Sequence, residues 1–344
     1  MTDHNSPLIS AWDRLHQMIG GYRVTQMIRS AAELGVCDRL GGGPVAGGDL
    51  AAQIQAEPAL LMRLLRALCA FGILAEDEDG RFSNTDLGHL LRSDVPGGLR
   101  NVAMGLAEDA WWQAWGRFPT GVREGGQPFQ LAHGRTFWQL AEEEPGVKAR
   151  FNGFMAAQTT AFIPQLLEAF DFAACKRIVD VGGGNGALAA GILKVNLATR
   201  ATVFDLAAGL EGADAFLVGQ GVRERCDLIA GSFFDAVPVG GDAYLMRLVL
   251  HDWDDAGAAA ILATCRRAMQ PGARLLVMDH LLPVRVRDQL ADRQSLALDL
   301  HMYVLFGARE RTETELRGML TDAGFAIENV APTSPTAIIV ARAL

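Results

Sequence analysis

A glycine-rich segment near the middle of the chain restricts the possible folds more than any other feature. Residues 179–187 read VDVGGGNGA, and they lie between a predicted apolar strand at 177–180 and a predicted apolar helix at 187–194. Glycines in such a turn let the backbone approach a ligand closely and direct its N–H groups toward it. A strand, a glycine turn and a helix in this order are typical of an open α/β sheet.

The chain after Cys175 alternates between short apolar strands and amphipathic helices, with helices predicted at 257–269 and 313–323. This alternation predicts a doubly wound, mostly parallel sheet, in which ligands bind at the carboxyl ends of the strands. The predicted strands cover residues 177–180, 201–205, 227–230, 243–246, 274–279, 325–330 and 337–341.

The N-terminal part of the chain has a helical pattern instead. Apolar residues recur at helical spacing up to Leu91, Asp49 is placed to cap a helix that begins at Leu50, and a second helix is predicted at 58–71. Two short β segments follow around an acidic turn, which is the order of a winged helix. We therefore expect a winged-helix domain at 1–105, linking helices at 106–170 and the sheet domain at 171–344.

A winged helix either binds DNA or serves as a dimerisation domain. Residues 49–94 contain eight acidic residues and four arginines, and the helix in the recognition position is rich in Leu, Ala and Met. A recognition helix needs basic and polar groups that face phosphates and base edges. Dimerisation is therefore the favoured interpretation, and the net charge of −9 also disfavours nucleic-acid and anionic membrane partners.

The linking segment 106–170 is helical and rich in aromatic residues. Aromatic residues at helical spacing more often form a core than a ligand site, but their position just before the glycine segment predicts a lid over an apolar aromatic substrate. The aromatic residues are Trp111, Trp112, Trp115, Phe118, Phe129, Phe137, Trp138, Phe151 and Phe154, and Met155 follows them.

The cellular setting is indicated by what the sequence lacks. Its five cysteines have neither paired nor metal-ligand spacing, which predicts a reducing compartment. The N-terminus has no basic segment followed by an apolar stretch, and no apolar run has the length of a membrane span. We therefore expect a cytoplasmic protein.

The glycine segment fits two kinds of cofactor. Read as G-x-G-x-x-A from Gly182 through Gly184 to Ala187, with Asp205 ending the next strand, it matches a dinucleotide site as well as an S-adenosylmethionine site. Asp180 favours the latter, because a carboxylate before the turn attracts a cationic ammonium and sulfonium but repels a pyrophosphate. The alternative role for Asp180 is to cap the loop. Asp205 is placed to accept hydrogen bonds from ribose hydroxyls.

Six motifs extend these observations to essentially the whole chain. In the order DVGGGNG, FDL, GSFF, RLVLHDWDD, VMDHLLP and GARERT, they resemble the small-molecule O-methyltransferase family that includes plant caffeate methyltransferases and bacterial antibiotic-tailoring enzymes. The resemblance implies a Rossmann-like catalytic domain that binds S-adenosylmethionine. It also implies an N-terminal winged-helix domain that swaps into a homodimer, so that each subunit contributes to its neighbour's pocket.

The resemblance further implies which residues contact the cofactor. Two positions depart from the family pattern, since Ser232 stands where aspartate is common and Arg247 where the plant members have lysine. A serine can form one hydrogen bond with adenine but provides no charge, which bears on cofactor affinity. The implied contacts are Gly182 for the amino-acid end, Asp205 for the ribose, Leu206 and Phe233 for the adenine, and Arg247 for the carboxylate and adenine region.

His251 is the predicted general base. It follows the strand at 243–246 and an apolar turn, so it is expected at the carboxyl edge of the sheet beside the cofactor. A neutral phenol is a poor nucleophile, and an imidazole that takes its proton contributes about 10²–10⁴ in rate. The resemblance nominates Glu310 and Asp279 as the acids that orient this base. The alternative for Glu310 is an ion pair with Arg309 or Arg311.

The acids after His251 and the substrate pocket complete the expectations. Asp252, Asp254 and Asp255 are predicted as N-terminal caps of the next helix, with Asp252 also a candidate brace for the active-site loop. The mechanism requires no metal. By resemblance, the acceptor pocket is lined by Met155, Met302 and Phe306, with Trp112 as a looser candidate.

We expect a polycyclic or substituted phenol of secondary metabolism as the substrate. The sequence leaves several alternatives open. The first is a cofactor-binding homologue with lost or altered activity, such as N-methylation or hydroxylation. The others are a winged-helix transcription regulator and an NAD-dependent dehydrogenase.

Overall fold

The structure is a computed structural model that describes residues 10–332 and 336–344. The chain forms two compact units, Met1–Glu108 and Asp109–Leu344. Across the described ranges, none of the helices combines the length with the hydropathy that a bilayer span requires.

The first unit is mostly helical, and its three short strands form an antiparallel sheet in the order β1-β3-β2. Leu50, Leu65 and Phe82 are fully buried in its core. The elements are α1 (Ala11–Glu33), α2 (Val36–Arg39), β1 (Val45–Ala46), α3 (Gly47–Ile54), α4 (Pro58–Ala70), β2 (Leu74–Glu76), β3 (Arg81–Asn84), α5 (Asp86–His89) and α6 (Arg100–Leu106).

Local signals explain where the helices of the first unit begin. Glu57 accepts a hydrogen bond from the Leu60 amide, and Pro58 occupies the first turn of α4, where its missing N–H costs nothing. The predicted cap for α3 was wrong. This helix begins at Gly47 with Ala46 as its N-cap, so Asp49 lies inside the first turn, where its charge still favours the helix dipole.

The second unit begins with five helices and continues into the alternating part of the chain. The helices are α7 (Asp109–Gly116), α8 (Phe118–Glu124), α9 (Pro128–His133), α10 (Phe137–Glu143), α11 (Pro145–Ala169), α12 (Ala187–Val195), α13 (Ala213–Gly219), α14 (Asp255–Ala268), α15 (Leu290–Phe306) and α16 (Glu313–Asp322). The strands are β4 (Arg177–Val181), β5 (Arg200–Asp205), β6 (Cys226–Ala230), β7 (Ala243–Arg247), β8 (Arg274–Leu282), β9 (Arg311–Thr312), β10 (Phe325–Pro332) and β11 (Thr336–Ala343).

The predicted doubly wound sheet is confirmed. Its strand order is β10-β11-β8-β7-β4-β5-β6, with β9 paired to β8. Strands β4 to β8 pair in parallel, whereas β11 pairs antiparallel with β8 and β10. The chain runs outward from β4 through β5 to β6 and then returns to add β7 on the other side of β4. The strand order therefore reverses between β4 and β7, and ligands of such sheets bind at this reversal.

Both faces of this sheet are covered. Successive residues of a strand point to opposite faces, so in β4 Ile178 joins one apolar cluster and Val179 the other. One cluster is built with α14 and α16, and the other with α11 and α12. Because both faces are buried, polar side chains lie at the edge formed by the carboxyl ends of the strands.

Candidate active site

The glycine turn follows directly after β4. Gly182 and Gly184 have φ angles of +72° and +53°, a region that glycine adopts without strain. A Cβ on Gly182 would come within 2.9 Å of Val249 Cγ2, and one on Gly183 within 2.7 Å of the carboxyl carbon of Asp180. Apart from its two chain neighbours, no described residue has an atom within 4 Å of the Cβ position of Gly184. The turn is thus closely packed at Gly182 and Gly183, whereas at Gly184 it leaves space in which a ligand could contact the backbone.

Asp205 ends β5 beside this turn. Its carboxylate accepts hydrogen bonds from the amides of Gly184 at 2.8 Å and Leu206 at 2.7 Å, while burial raises its pKa. The Leu206 side chain is 56% exposed. The Asp205 carboxylate therefore links the glycine turn to the loop that follows β5.

The segment after β6 supplies Ser232 and Phe233. The Ser232 hydroxyl accepts a hydrogen bond from the Phe234 amide at 3.2 Å. Phe233 packs edge-on against Trp253, with ring centroids 5.9 Å apart, and its ring approaches to 4.0 Å the Cβ position of Gly182. An aromatic wall and a hydroxyl therefore lie on the side of the glycine turn reached by β6.

Asp180, which is buried, and Arg247, which is half-buried, lie at the ends of β4 and β7. Burial raises the pKa of Asp180 to about 7, although the Ala189 amide donates a hydrogen bond to it. Burial lowers the pKa of Arg247 to about 10, and the charges of Asp279 and Asp180 act in the opposite direction. Arg247 donates to the Thr159 hydroxyl at 3.0 Å and lies 5.1 Å from the Phe162 ring centroid. Asp180 thus supports the turn from within.

His251 lies on a 3-10 turn, Leu250–Asp252, reached through a strained backbone. Leu248 has φ +54°, which is uncommon for a residue with a side chain. Val249 packs beside the glycine turn, since its Cγ2 lies 2.9 Å from the position that a Cβ on Gly182 would occupy. After this sharp bend, His251 follows by two positions the residue that packs against the glycine turn.

The His251 imidazole is held between two carboxylates. Its Nδ1 lies 2.7 Å from Glu310 Oε1, and its Nε2 lies 3.5 Å from Asp252 Oδ1. Burial alone would lower the pKa of His251, but the charges of Glu310 and Asp252 outweigh it and raise the pKa to about 10. With Nδ1–H donated to Glu310, a neutral ring presents an Nε2 lone pair that can accept a proton.

Two further acids lie near this imidazole, Asp279, which is buried, and Asp252, which is half-buried. Asp279 is 3% exposed on β8, and burial raises its pKa to about 7 while the charge of His251 lowers it. Burial likewise raises the pKa of Asp252 to about 6. Asp254 is the acid that caps α14, since it accepts from the Gly257 amide at 2.8 Å. The prediction of Asp255 as a cap was wrong, because this residue is the first of the helix.

Arg311 is a site residue that the sequence reasoning considered only as an alternative partner for Glu310. Its guanidinium donates to the carbonyl oxygens of Leu250 and Trp253, both at 2.8 Å, and to Asp255 at 3.0 Å. It is 2% exposed. These bonds bracket His251 and tie the 3-10 turn to β9. Its place in the GARERT motif is the sequence signal that could have identified Arg311 as a site residue.

The proposed substrate residues lie on helices of the second unit. Met302 is buried on α15, and Met155 on α11 and Trp112 on α7 are half-buried. Phe306 stacks on Trp138 with ring centroids 5.3 Å apart. Phe306 and Trp138 also line a cavity of about 500 Å³ that reaches Asp252, the neighbour of His251.

Unpartnered polar atoms test whether these residues fit a ligand. Within the described ranges, four residues of the site have a buried polar atom without a hydrogen-bond partner: Asp180 Oδ2, Arg247 Nε, Asp279 Oδ1 and Glu310 Oε2. Such atoms are rare in proteins because each carries a desolvation penalty. Their concentration here, beside an open glycine turn, fits a site built for a polar, charged cofactor such as S-adenosylmethionine.

Comparison with known proteins gives the family. An O-methyltransferase domain model matches residues 115–326, and an O-methyltransferase dimerisation domain model matches residues 16–94. A phenazine O-methyltransferase of Lysobacter antibioticus is 36% identical over 347 residues, which cover 99% of each chain. An 8-amino-8-demethylriboflavin N,N-dimethyltransferase of Streptomyces davaonensis is 33% identical over 96% of this chain and 94% of the relative.

A solved structure shows the same fold with ligands. It is an O-methyltransferase from neocarzinostatin biosynthesis in complex with S-adenosylmethionine and 2-hydroxy-5-methyl naphthoic acid. It is 30% identical, covers 93% of this chain and 96% of its own, and has a TM-score of 0.75. The family models, the relatives and the fold agree, and the chain belongs to the O-methyltransferase family of S-adenosylmethionine-dependent methyltransferases.

Proposed function

We propose that this enzyme methylates a hydroxyl of a small aromatic molecule, with His251 as the general base. The observation that carries the proposal is the buried His251–Glu310 pair, 2.7 Å apart, on a turn whose residue Val249 contacts the glycine turn. A buried imidazole oriented by a carboxylate is suited to abstraction of a hydroxyl proton.

The chemistry follows from the acidities involved. A phenol has a pKa of about 10, so an ordinary imidazole is too weak a base to accept its proton fully. The pKa of His251 is raised to about 10, so its neutral form matches the phenol, and proton transfer to Nε2 is nearly balanced in energy. Nε2 would take the hydroxyl proton as the oxygen displaces a neutral thioether from the methyl carbon, and the Nδ1–H bond to Glu310 would stabilise the resulting imidazolium.

S-adenosylmethionine, when bound, supplies a methyl group on a sulfonium. Gly182 and Gly184 would hold its amino-acid end through backbone contacts, and Asp205 would accept from its ribose hydroxyls. Leu206, Ser232 and Phe233 would enclose the adenine, and Arg247 would contact the carboxylate. Asp180 would act from beneath the turn. The exposed Leu206 side chain and the open space at Gly184 support these assignments.

An aromatic acceptor is supported by the chain and by its relatives. Met155, Met302 and Phe306 belong to the helices that carry the aromatic side chains of this unit, and we propose that residues 106–170 act as the lid. The similar enzymes named above include one for a phenazine and one in complex with a hydroxylated naphthoic acid. A polycyclic phenol is the corresponding substrate class here.

Transfer to nitrogen is the second candidate, because the relative from Streptomyces davaonensis is an N,N-dimethyltransferase. A neutral amine attacks without prior loss of a proton, so it needs no base as strong as the one found here. The two candidates therefore differ in how the rate depends on His251.

We also propose a homodimer formed through the first unit. Helix α1 has an apolar stripe at helical spacing in which every residue is more than half exposed. An exposed apolar stripe of this kind is typical of a protein–protein interface. A second copy of the chain fits, since this part matches the dimerisation domain model. The stripe consists of Trp12, Leu15, Met18, Ile19 and Tyr22.

The experiment is product analysis. The purified protein is incubated with S-adenosylmethionine and a panel of phenols, aromatic amines, quinols and phenazinols, and products are identified by mass spectrometry. Calorimetry with S-adenosylhomocysteine and with NADH identifies the cofactor class. We expect O-methylated products and binding of S-adenosylhomocysteine alone. Products methylated only on nitrogen, or none across the panel, would overturn the proposal.

A further inference from the structure

Helix α15 carries a second histidine whose protonation state is determined by its neighbours. Trp115 Nε1 lies 3.1 Å from His301 Nδ1, and the two ring planes are nearly parallel, at 16° to each other, with centroids 6.1 Å apart. An indole N–H can only donate, so Nδ1 of His301 is the acceptor and carries no proton. Burial lowers the pKa of His301 to about 4, so the ring is neutral. Its single proton is therefore on Nε2, which points away from Trp115.

A second N–H donor lies against the same ring. Trp111 packs edge-on to His301 with centroids 5.0 Å apart, and the indole is 2% exposed. Its buried Nε1 has no hydrogen-bond partner among the residues that the structure describes. The other rings in contact with Trp111 belong to phenylalanines, which offer no acceptor: Phe137, Phe151 and Phe154. An indole N–H left unpaired in such surroundings points to an acceptor that arrives with a ligand.

The helix that carries His301 contacts both the helix of Trp111 and the catalytic turn. Helix α15 packs against α7, which carries Trp111, and against the 3-10 turn that carries His251. Residue 302, next to His301, is one of the proposed substrate contacts, and Asp299 on the same helix accepts from the Glu310 amide at 2.9 Å. One helix thus connects the two N–H donors to the catalytic pair.

We propose that His301 Nε2–H and Trp111 Nε1–H form a subsite that binds a neutral hydrogen-bond acceptor on the aromatic substrate, a ring nitrogen or a carbonyl oxygen, away from the hydroxyl that is methylated. This inference rests on the proposed function and narrows its substrate class. A neutral imidazole and an indole supply two donors and no charge, so they favour a neutral acceptor over a carboxylate. An all-carbon ring would leave both donors unpaired, which is how buried polar groups reject an analogue.

The test uses two hydroxyarenes of the same shape, 2-hydroxyphenazine and 2-hydroxyanthracene, which differ in two ring nitrogens. Dissociation constants are measured in the presence of S-adenosylhomocysteine for the full chain. The quantity compared is the ratio of the two dissociation constants, anthracene over phenazine. We expect this ratio to be about tenfold or more larger in the wild type than in a His301→Met variant, because methionine keeps the bulk and lacks the donor. A Trp111→Phe variant should reduce the ratio in the same direction.

His301→Gln is the matched control, since its amide retains an N–H donor, and it should preserve most of the phenazine preference. S-adenosylhomocysteine affinity identifies variants that have lost the fold. If His301→Met is unstable, the comparison of wild type with His301→Gln and Trp111→Phe decides the matter. An unchanged ratio in the donor-free variants, or failure of the wild type to bind the phenazine, would overturn the subsite.

Binding and turnover separate this inference from the proposed function. If the wild type binds the phenazine more tightly and the donor-free variants lose this preference, the subsite is supported. This holds even if the protein methylates neither compound. Absence of methylation would then count against the proposed function alone. Methylation of both compounds with equal affinity would overturn the subsite and leave the function standing.

Discussion

Nδ1 of His251 lies 2.7 Å from Oε1 of Glu310, although the two residues are 59 positions apart in the chain. Their side chains are 7% and 0% exposed. The buried carboxylate does two things to the imidazole: it holds the tautomer with Nε2 as the free base, and it raises the basicity of that atom. Both effects can be measured separately.

Replacement of the base should remove turnover without removing cofactor binding. We expect His251→Ala to lower kcat by about 10²–10⁴, the usual contribution of a positioned general base. Affinity for S-adenosylhomocysteine, measured by calorimetry, should stay within a factor of about two, because His251 contacts the acceptor side. His89→Ala, an exposed histidine of the first unit, is the control. Undiminished methylation by His251→Ala would remove the base from the mechanism.

The pH dependence should follow the raised pKa of His251. The neutral base is needed, so kcat/KM should rise with pH into the alkaline range and level off as His251 loses its proton near its pKa of about 10. Glu310→Gln removes the main charge that raises this pKa, so the rising limb should move to lower pH while the plateau falls. Asp252→Asn should move the limb in the same direction by less. A limb that stays in place in Glu310→Gln would show that another group titrates.

Arg311 is expected to position the catalytic turn. Lysine keeps the charge but cannot reach the Leu250 and Trp253 carbonyls and Asp255 together, so Arg311→Lys should lower kcat about 10- to 100-fold and reduce the melting temperature. The KM for S-adenosylmethionine should change little. Arg317→Lys is the matched control, because Arg317 pairs with Glu313 at the surface. Equal losses in the two variants would argue against a positioning role.

The glycine turn allows a test at constant backbone strain. Gly184 and Gly212 both have positive φ and nothing within 4 Å of a Cβ, but only Gly184 belongs to the proposed cofactor site. Alanine should cost about 1–2 kcal/mol of folding stability at either position. Only Gly184→Ala should weaken S-adenosylhomocysteine binding, by about tenfold or more, since the methyl group occupies the open side. Weakening by Gly212→Ala to the same degree would contradict this assignment.

The apolar stripe of α1 should control the oligomeric state. Ile19→Asp places a charge in the centre of the stripe, and we expect it to convert a dimer into a monomer in light-scattering measurements coupled to gel filtration. Gln17→Asp adds the same charge to a polar residue of the same helix and should leave the dimer intact. A dimer that survives Ile19→Asp would place the interface elsewhere.

Much of this protein could be read from its residues in order. The alternation after Cys175 predicted the strands of the sheet, and the glycine turn, Asp205 and His251 were predicted at its carboxyl edge, because strand periodicity and turn chemistry are local properties. The helical pattern before Leu91 and its acidic surface likewise favoured a dimerisation domain over a DNA-binding one, and the family match agrees.

Other features depended on contacts between distant segments. The pairing of Arg311 with the carbonyls around His251, and the tautomer of His301 set by Trp115, have no local signature. In the sequence, Glu310 has an arginine on either side as a possible ion-pair partner. In the structure these arginines pair with Asp255 and Glu315, and the Glu310 carboxylate pairs with the His251 imidazole. Local propensities determine which elements form, whereas burial and the choice among charged partners depend on how those elements pack, and only the tertiary structure decides that.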